Sequence, residues 1–263
     1  MLVSSALTLQ ELGIVVAMQQ PHPHLITEEF LKLSGIVPDT WQLARPPILQ
    51  QSSSQLLFTN GVKIITEPDR IMFGESMGEK ALDTLSIATV AQSYLQTFKQ
   101  SHCHAVGINI RSYSSQPSQI AATQYINHHL LADGSWQNYG NAPIQAALNV
   151  IYTLERRQLT LSINAAEIQF SEAEITPIIL FSGNFSYNLA TPMAEATLGT
   201  ASQIIADWHQ DLQVYCELIG KRYLGDRQVG ITTLNPVAIG GDGDLDGLEI
   251  PYAPDLNLLV AHS

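Results

Sequence analysis

Three short patterns in this 263-residue chain carry side chains able to do chemistry. The first is Gly74-Glu75-Ser76-Met77-Gly78, a G-x-S-x-G sequence. Its glycines permit the tight, strained turn that exposes a serine hydroxyl as a nucleophile. Asp255 and then His262 follow in the acid-then-histidine order that would orient and deprotonate it. The second pattern is paired histidine: His22 and His24, His102 and His104 around Cys103, and His128 beside His129. Alternate positions on a strand put His102 and His104 on one face, which is metal-ligand geometry, and send Cys103 to the other. The third is Asp242, Asp244 and Asp246 followed by Gly247, the first half of a calcium loop of the D-x-D-x-D-G kind.

A plainer reading competes with each. G-x-S-x-G is the nucleophile elbow of the α/β-hydrolases, whose sheet is mostly parallel and needs helical crossovers. The strands expected before Ser76 are joined by tight turns, which makes them antiparallel, and no glycine-rich oxyanion loop lies upstream. Ser76 also reads as a helix N-cap with Glu79 three residues on, a capping box whose loss costs about 1 kcal/mol. The histidines lack a third ligand at a matching spacing and read as polar boundary residues. The aspartate loop has Ala253 where a bidentate glutamate belongs, although Glu249 or Asp255 could substitute. It reads as a solvated acidic loop, so no cofactor is expected, calcium being the one ion the loop could hold. Asn184-Phe185-Ser186 fits a glycosylation sequon but reads as strand. Trp41, Trp136 and Trp208 could form a binding platform, but Trp208 falls on an apolar helical stripe and reads as core or interface.

The elements that must position these residues follow a repeated order. A strand at 14–18 leads to a short helix at 27–34, with Thr27 before it and Gly35 after it. Asn60-Gly61 and Pro68-Asp69 then join three strands, Asn-Gly predicting a type I′ hairpin turn. Helical spacing of Leu82, Leu85, Ala88, Leu95 and Phe98 predicts a long helix over 79–99. From His104 the pattern restarts: a strand with Val106, Ile108 and Ile110, and a helix opened by Pro117. Three alternating strands follow, then a helix over 200–223 carrying Ile204, Ile205, Trp208, Leu212, Tyr215, Leu218 and Ile219.

The fold class expected is therefore α+β. It is an internal duplication of a β-α-β-β-β-α unit, with antiparallel sheets packed against two long helices. The halves are 1–103 and 104–227, sharing one domain, with 228–263 an acidic Gly/Pro/Asp-rich segment. Strands crossed by a long helix resemble the TATA-box-binding-protein-like or helix-grip architecture. That resemblance is one of element order and implies neither site residues nor a function.

Composition narrows the function classes. Hydrophobic residues make up 45% of the chain and charged residues only 14%, so a packed core is expected and part of the low-charge surface suits an oligomer. Twelve basic against 24 acidic residues give a net charge of −12 with no basic cluster, which disfavours nucleic acid and anionic membranes. Two distant cysteines make no disulfide framework, and the N-terminus is a poor signal peptide. The reading is a non-catalytic cytoplasmic binding or assembly protein acting on a protein partner or on itself. The alternatives are a serine hydrolase using Ser76, and a small-molecule carrier with a groove between helices and sheet.

Overall fold

The computed structural model describes residues 7–19, 21–142, 144–171, 174–189 and 194–225. In chain order these form β1 (Leu7–Met18), α1 (Glu28–Leu33), β2 (Ile48–Leu49), β3 (Ser54–Leu57), β4 (Val62–Thr66), β5 (Arg70–Ser76) and α2 (Ile87–Thr97). There follow β6 (Cys103–Ser115), α3 (Gln119–Gln124), β7 (Leu148–Thr153), β8 (Gln158–Ser171), β9 (Glu174–Asn188), α4 (Ala194–Ala206) and α5 (Trp208–Leu218). The class is α+β. Its strands form one nine-stranded antiparallel sheet in the order β2-β3-β4-β5-β1-β6-β9-β8-β7. Strands from both sequence halves meet at the central β1–β6 pair, where Ile14 lies opposite Ile108.

Period-2 alternation fixes which face is covered. Leu12, Ile14 and Val16 of β1, Val106, Ile108 and Ile110 of β6, Phe181 and Phe185 of β9, and Leu159, Leu161 and Ile163 of β8 are buried in one core. Each of the five helices sends side chains into that core, including Leu31, Tyr94, Ala122, Ile205 and Tyr215. The opposite face carries Val15, Lys63, Met72, Asn109, Arg111, Thr160, Ser182 and Asn184, all only half-buried. This is the one-sided burial usual for antiparallel sheets.

Close backbone approach decides one position. A Cβ on Gly183 would lie 2.7 Å from two ring carbons of Tyr215, so only glycine lets α5 sit down on β9. Tyr215 then donates its hydroxyl proton to Phe181 O at 2.9 Å and lies 2.7 Å from Ser112 Oγ, tying α5 to β9 and β6.

Several expectations are corrected. The helix predicted over 79–99 begins only at Ile87, after a single 3₁₀ turn at Leu82–Thr84. The helix predicted over 200–223 is two helices, α4 and α5, broken at Asp207 and ending in a π-helical turn at Ile219–Tyr223. Thr27 does cap α1, accepting the Phe30 N–H at 3.2 Å, but α3 is capped by Ser118 rather than opened by Pro117. The Asn60-Gly61 turn is not type I′, because of the two only Gly61 has positive φ. Gly61 N donates to Phe58 O and Phe58 N to Val62 O, a three-residue loop with a glycine bulge. Asn60 Oδ1 accepts the Val62 N–H at 3.1 Å and fixes it.

Candidate functional site

The G-x-S-x-G segment sits at the end of an antiparallel edge-to-centre ladder, with Ser76 paired to Glu11 across from β1. Ser76 is the exposed last residue of β5, and among the described residues no side chain hydrogen-bonds its hydroxyl. No helix starts there. The chain turns through Gly78, at φ +49°, and Met77 N donates to Gln10 O. Gly74 serves a different end from a nucleophile elbow. The aliphatic stem of Lys63 lies where a Cβ would be, on its way to Glu11 at 2.6 Å.

The chemistry of this segment lies in Glu75, which the sequence reading passed over. Its side chain is 2% exposed and points into the core face beside Leu12 and Val62. One carboxylate oxygen accepts the Ser86 and Ile87 N–H groups, each at 2.8 Å, and the other takes Lys80 Nζ at 2.7 Å. An anion at the first N–H groups of α2 satisfies donors the helix cannot pair and complements its dipole. The sequence did hold a clue: Glu75 occupies a core-facing parity in a strand otherwise filled by Ile71 and Phe73.

Four histidines gather near one end of β1 and β6. His22 has φ 52°, the one positive φ outside glycine among the described residues, and stacks on Phe98 at 6.0 Å. His24 is 6.0 Å from His22, and the rings of His102 and His104 are 5.2 Å apart. Cys103 between them is buried on the core face, where burial pushes its thiol up to about 11. A cleft of about 530 Å³ lined by His22, Phe98, Lys99 and Ser101 opens at this end. Among the described residues no three His, Cys, Asp or Glu side chains converge as metal ligands. His128 lies 3.3 Å from Asp133 on the surface, and His129 stacks on Tyr125. Asp242, Asp244, Asp246, Glu249, Asp255 and His262 lie outside the described residues, so the calcium loop and the acid and histidine partners of Ser76 are not placed.

A second buried carboxylate also escaped the sequence reading. Asp211 of α5 is 1% exposed and accepts the Tyr187 hydroxyl at 2.8 and 2.9 Å. Arg157 Nε lies 2.8 Å from Asp211 Oδ1, but its N–H is not aimed at the oxygen, so the contact is an ion pair rather than a hydrogen bond. The guanidinium also lies over the Phe185 and Tyr187 rings, at 5.5 and 5.7 Å. Burial raises the Asp211 carboxyl above its ordinary value, outweighing Tyr187 and Arg157, which pull it down. The set pins the β7–β8 turn and β9 to α5. Trp41 packs on Phe58 and Trp208 is core, whereas Trp136 is exposed, so the three tryptophans make no common platform.

Among the described residues no strand pairs with the far edge of the outer strand β7. Leu154 N donates to Arg157 O at 2.9 Å and closes its hairpin. Antiparallel pairs alternate from there, so Leu148, Val150 and Tyr152 bond to β8 while Asn149, Ile151 and Thr153 aim N–H and C=O outward. The other outer strand, β2, is two residues long and preceded by Pro46 and Pro47, which blunt it. β7 has six residues with neither proline nor charge, and Ile151 is 65% exposed. A scan against models of known protein families finds no match, and no curated protein matches the chain.

Proposed function

We propose that this chain is a non-catalytic cytoplasmic binding or assembly protein that holds a protein partner, another chain or itself, by strand addition. The observation behind the reading is the β7 edge, which no strand covers among the described residues. Three outward-facing residues offer main-chain donors and acceptors to an incoming strand, and native edges of this length are normally charged, kinked or covered. The architecture is read as a duplicated β-α-β-β-β-α unit, supported by the matched order β5-β4-β3 and β9-β8-β7 on either side of the central pair. The groove between helices and sheet, where a carrier would hold its ligand, is filled by Phe73, Tyr94, Phe181, Phe185 and Tyr215. No helix among the described residues is long and apolar enough to cross a membrane.

The test is affinity capture of the tagged chain from its native lysate, read by mass spectrometry beside the native mass of the purified protein. The expected result is a stoichiometric partner, or self-association, that is lost when Ile151 becomes lysine. A monomer without partners whose esterase activity disappears in Ser76→Ala would overturn the reading in favour of the hydrolase.

A further inference from the structure

We infer that the strand received by β7 is β7 of a second copy of this chain, an inference that rests on the strand-addition reading above. The argument starts from the sequence of the edge, Leu148-Asn149-Val150-Ile151-Tyr152-Thr153-Leu154. It is palindromic in residue type about Ile151. An antiparallel two-fold pair centred on Ile151 sets Leu148 opposite Leu154, Asn149 opposite Thr153, Val150 opposite Tyr152 and Ile151 opposite itself. Every apolar core-side residue meets an apolar one, and each polar open-face residue meets a polar one. An isologous interface requires that self-complementarity.

The hydrogen-bond phase agrees. Asn149, Ile151 and Thr153 are the residues whose N–H and C=O point outward, and this register makes them hydrogen-bonded pairs in both copies. Burial agrees as well. Leu159, Leu161 and Ile163 on β8 are fully buried, whereas Leu148, Val150 and Tyr152 beside them on β7 are only half-covered, so the core ends unfinished at this edge. A second β7 would continue the sheet and cover them.

Charge decides in favour of a second copy. Two chains of net charge −12 repel, and that repulsion opposes contact least where neither presents charge. Residues 144–154 contain no Asp, Glu, Lys or Arg, and the register sets Glu155 and Arg156 opposite Ala147 and Ala146 of the other copy. A partner chosen by its charge would find nothing here to recognise.

The experiment is sedimentation equilibrium of the full chain at loadings of about 1 to 100 μM, the range in which a small interface assembles. Three variants accompany it. Ile151→Pro removes an outward N–H that β8 does not use, and Ile151→Lys sets two like charges together on the two-fold. Leu33→Lys removes an 81% exposed apolar side chain from α1 as a control. The expected result is a wild-type and Leu33→Lys dimer, with both Ile151 variants monomeric and Ile151→Lys still unfolding in one cooperative thermal transition. A dimer that persists in both Ile151 variants overturns the inference. So does a wild-type monomer that captures a different protein through Ile151, which leaves the strand-addition reading standing. A wild-type monomer that captures nothing overturns both.

Discussion

Replacing Glu75 with alanine should cost far more than replacing Ser76, reversing the expectation from the G-x-S-x-G pattern. The Glu75 carboxylate is 2% exposed and holds two backbone N–H groups at 2.8 Å and Lys80 at 2.7 Å. A hydrogen bond to a charged group is worth roughly 1.5–3 kcal/mol, and its loss strands a buried donor. Three such contacts do not add fully, because Lys80 and Ser86 are part-exposed and regain water. Breaking a buried pair from one side costs about 3–5 kcal/mol, which sets the scale for Glu75→Ala. Glu75→Gln keeps an acceptor for the helix but loses the charge, and should cost about half of that. Ser76→Ala should stay within about 0.5 kcal/mol, as for an exposed residue without partners. Urea unfolding, compared at constant slope, measures all three. A loss under about 1 kcal/mol in Glu75→Ala, or a loss of 1 kcal/mol or more in Ser76→Ala, would refute the reasoning and restore Ser76 as the cap.

Gly183→Ala should destabilise by about 2–4 kcal/mol, since the new methyl displaces the Tyr215 ring and breaks its bonds to Ser112 and Phe181. A loss below about 1 kcal/mol on calorimetry would show that α5 can lift without penalty. Cys103 and Cys216 are both pushed up to about 11 by burial, from an ordinary value of 9.0. Their thiolate population then falls about a hundredfold, and each should react with a disulfide reagent correspondingly more slowly than in the unfolded chain. Free-thiol rates at either would contradict this. Asp211 has a raised folded-state pKa, so its contribution to stability is full below the unfolded value and is lost as pH rises through the folded one. Acidification from neutrality toward about pH 4 should therefore shift the stability difference in favour of wild type over Asp211→Asn. The opposite slope in pH-resolved urea melts would mean that Arg157 dominates over burial.

The strands were legible because a half-buried sheet writes its pattern in alternate residues. Val106, Ile108 and Ile110 are buried as expected, and the restart of the pattern at His104 coincides with β6. Helix limits were less legible because apolar spacing says which face is buried and not where winding begins. Leu82 and Leu85 match the stripe of α2, yet Leu82 opens a 3₁₀ turn and Leu85 is the extended residue after it, both packed against the same core. The start of α2 is fixed by Glu75, a residue on a different element twelve positions earlier. Similarly, nothing in 200–223 marks Asp207 as a break, because both α4 and α5 bury their residues on one continuous surface.

The serine, histidine and aspartate patterns stand out by their spacing, which is local. The side chains with the strongest polar contacts are instead those that break the burial parity of their own element. Glu75 falls at a core-facing position of β5, and Asp211 falls on the apolar stripe of Trp208, Leu212 and Tyr215. A charge at such a position must be paired or the fold does not form, so each predicts a partner elsewhere in the chain. The converse test finds the edge. Residues 148–154 contain no charge at all and set apolar Ile151 on their open face, although among the described residues the strand ends the sheet. A central strand needs neither charge nor proline, whereas an end strand left bare invites another. The sequence of β7 is therefore that of an interior strand at an exterior position, which is the pattern that the proposed strand addition requires.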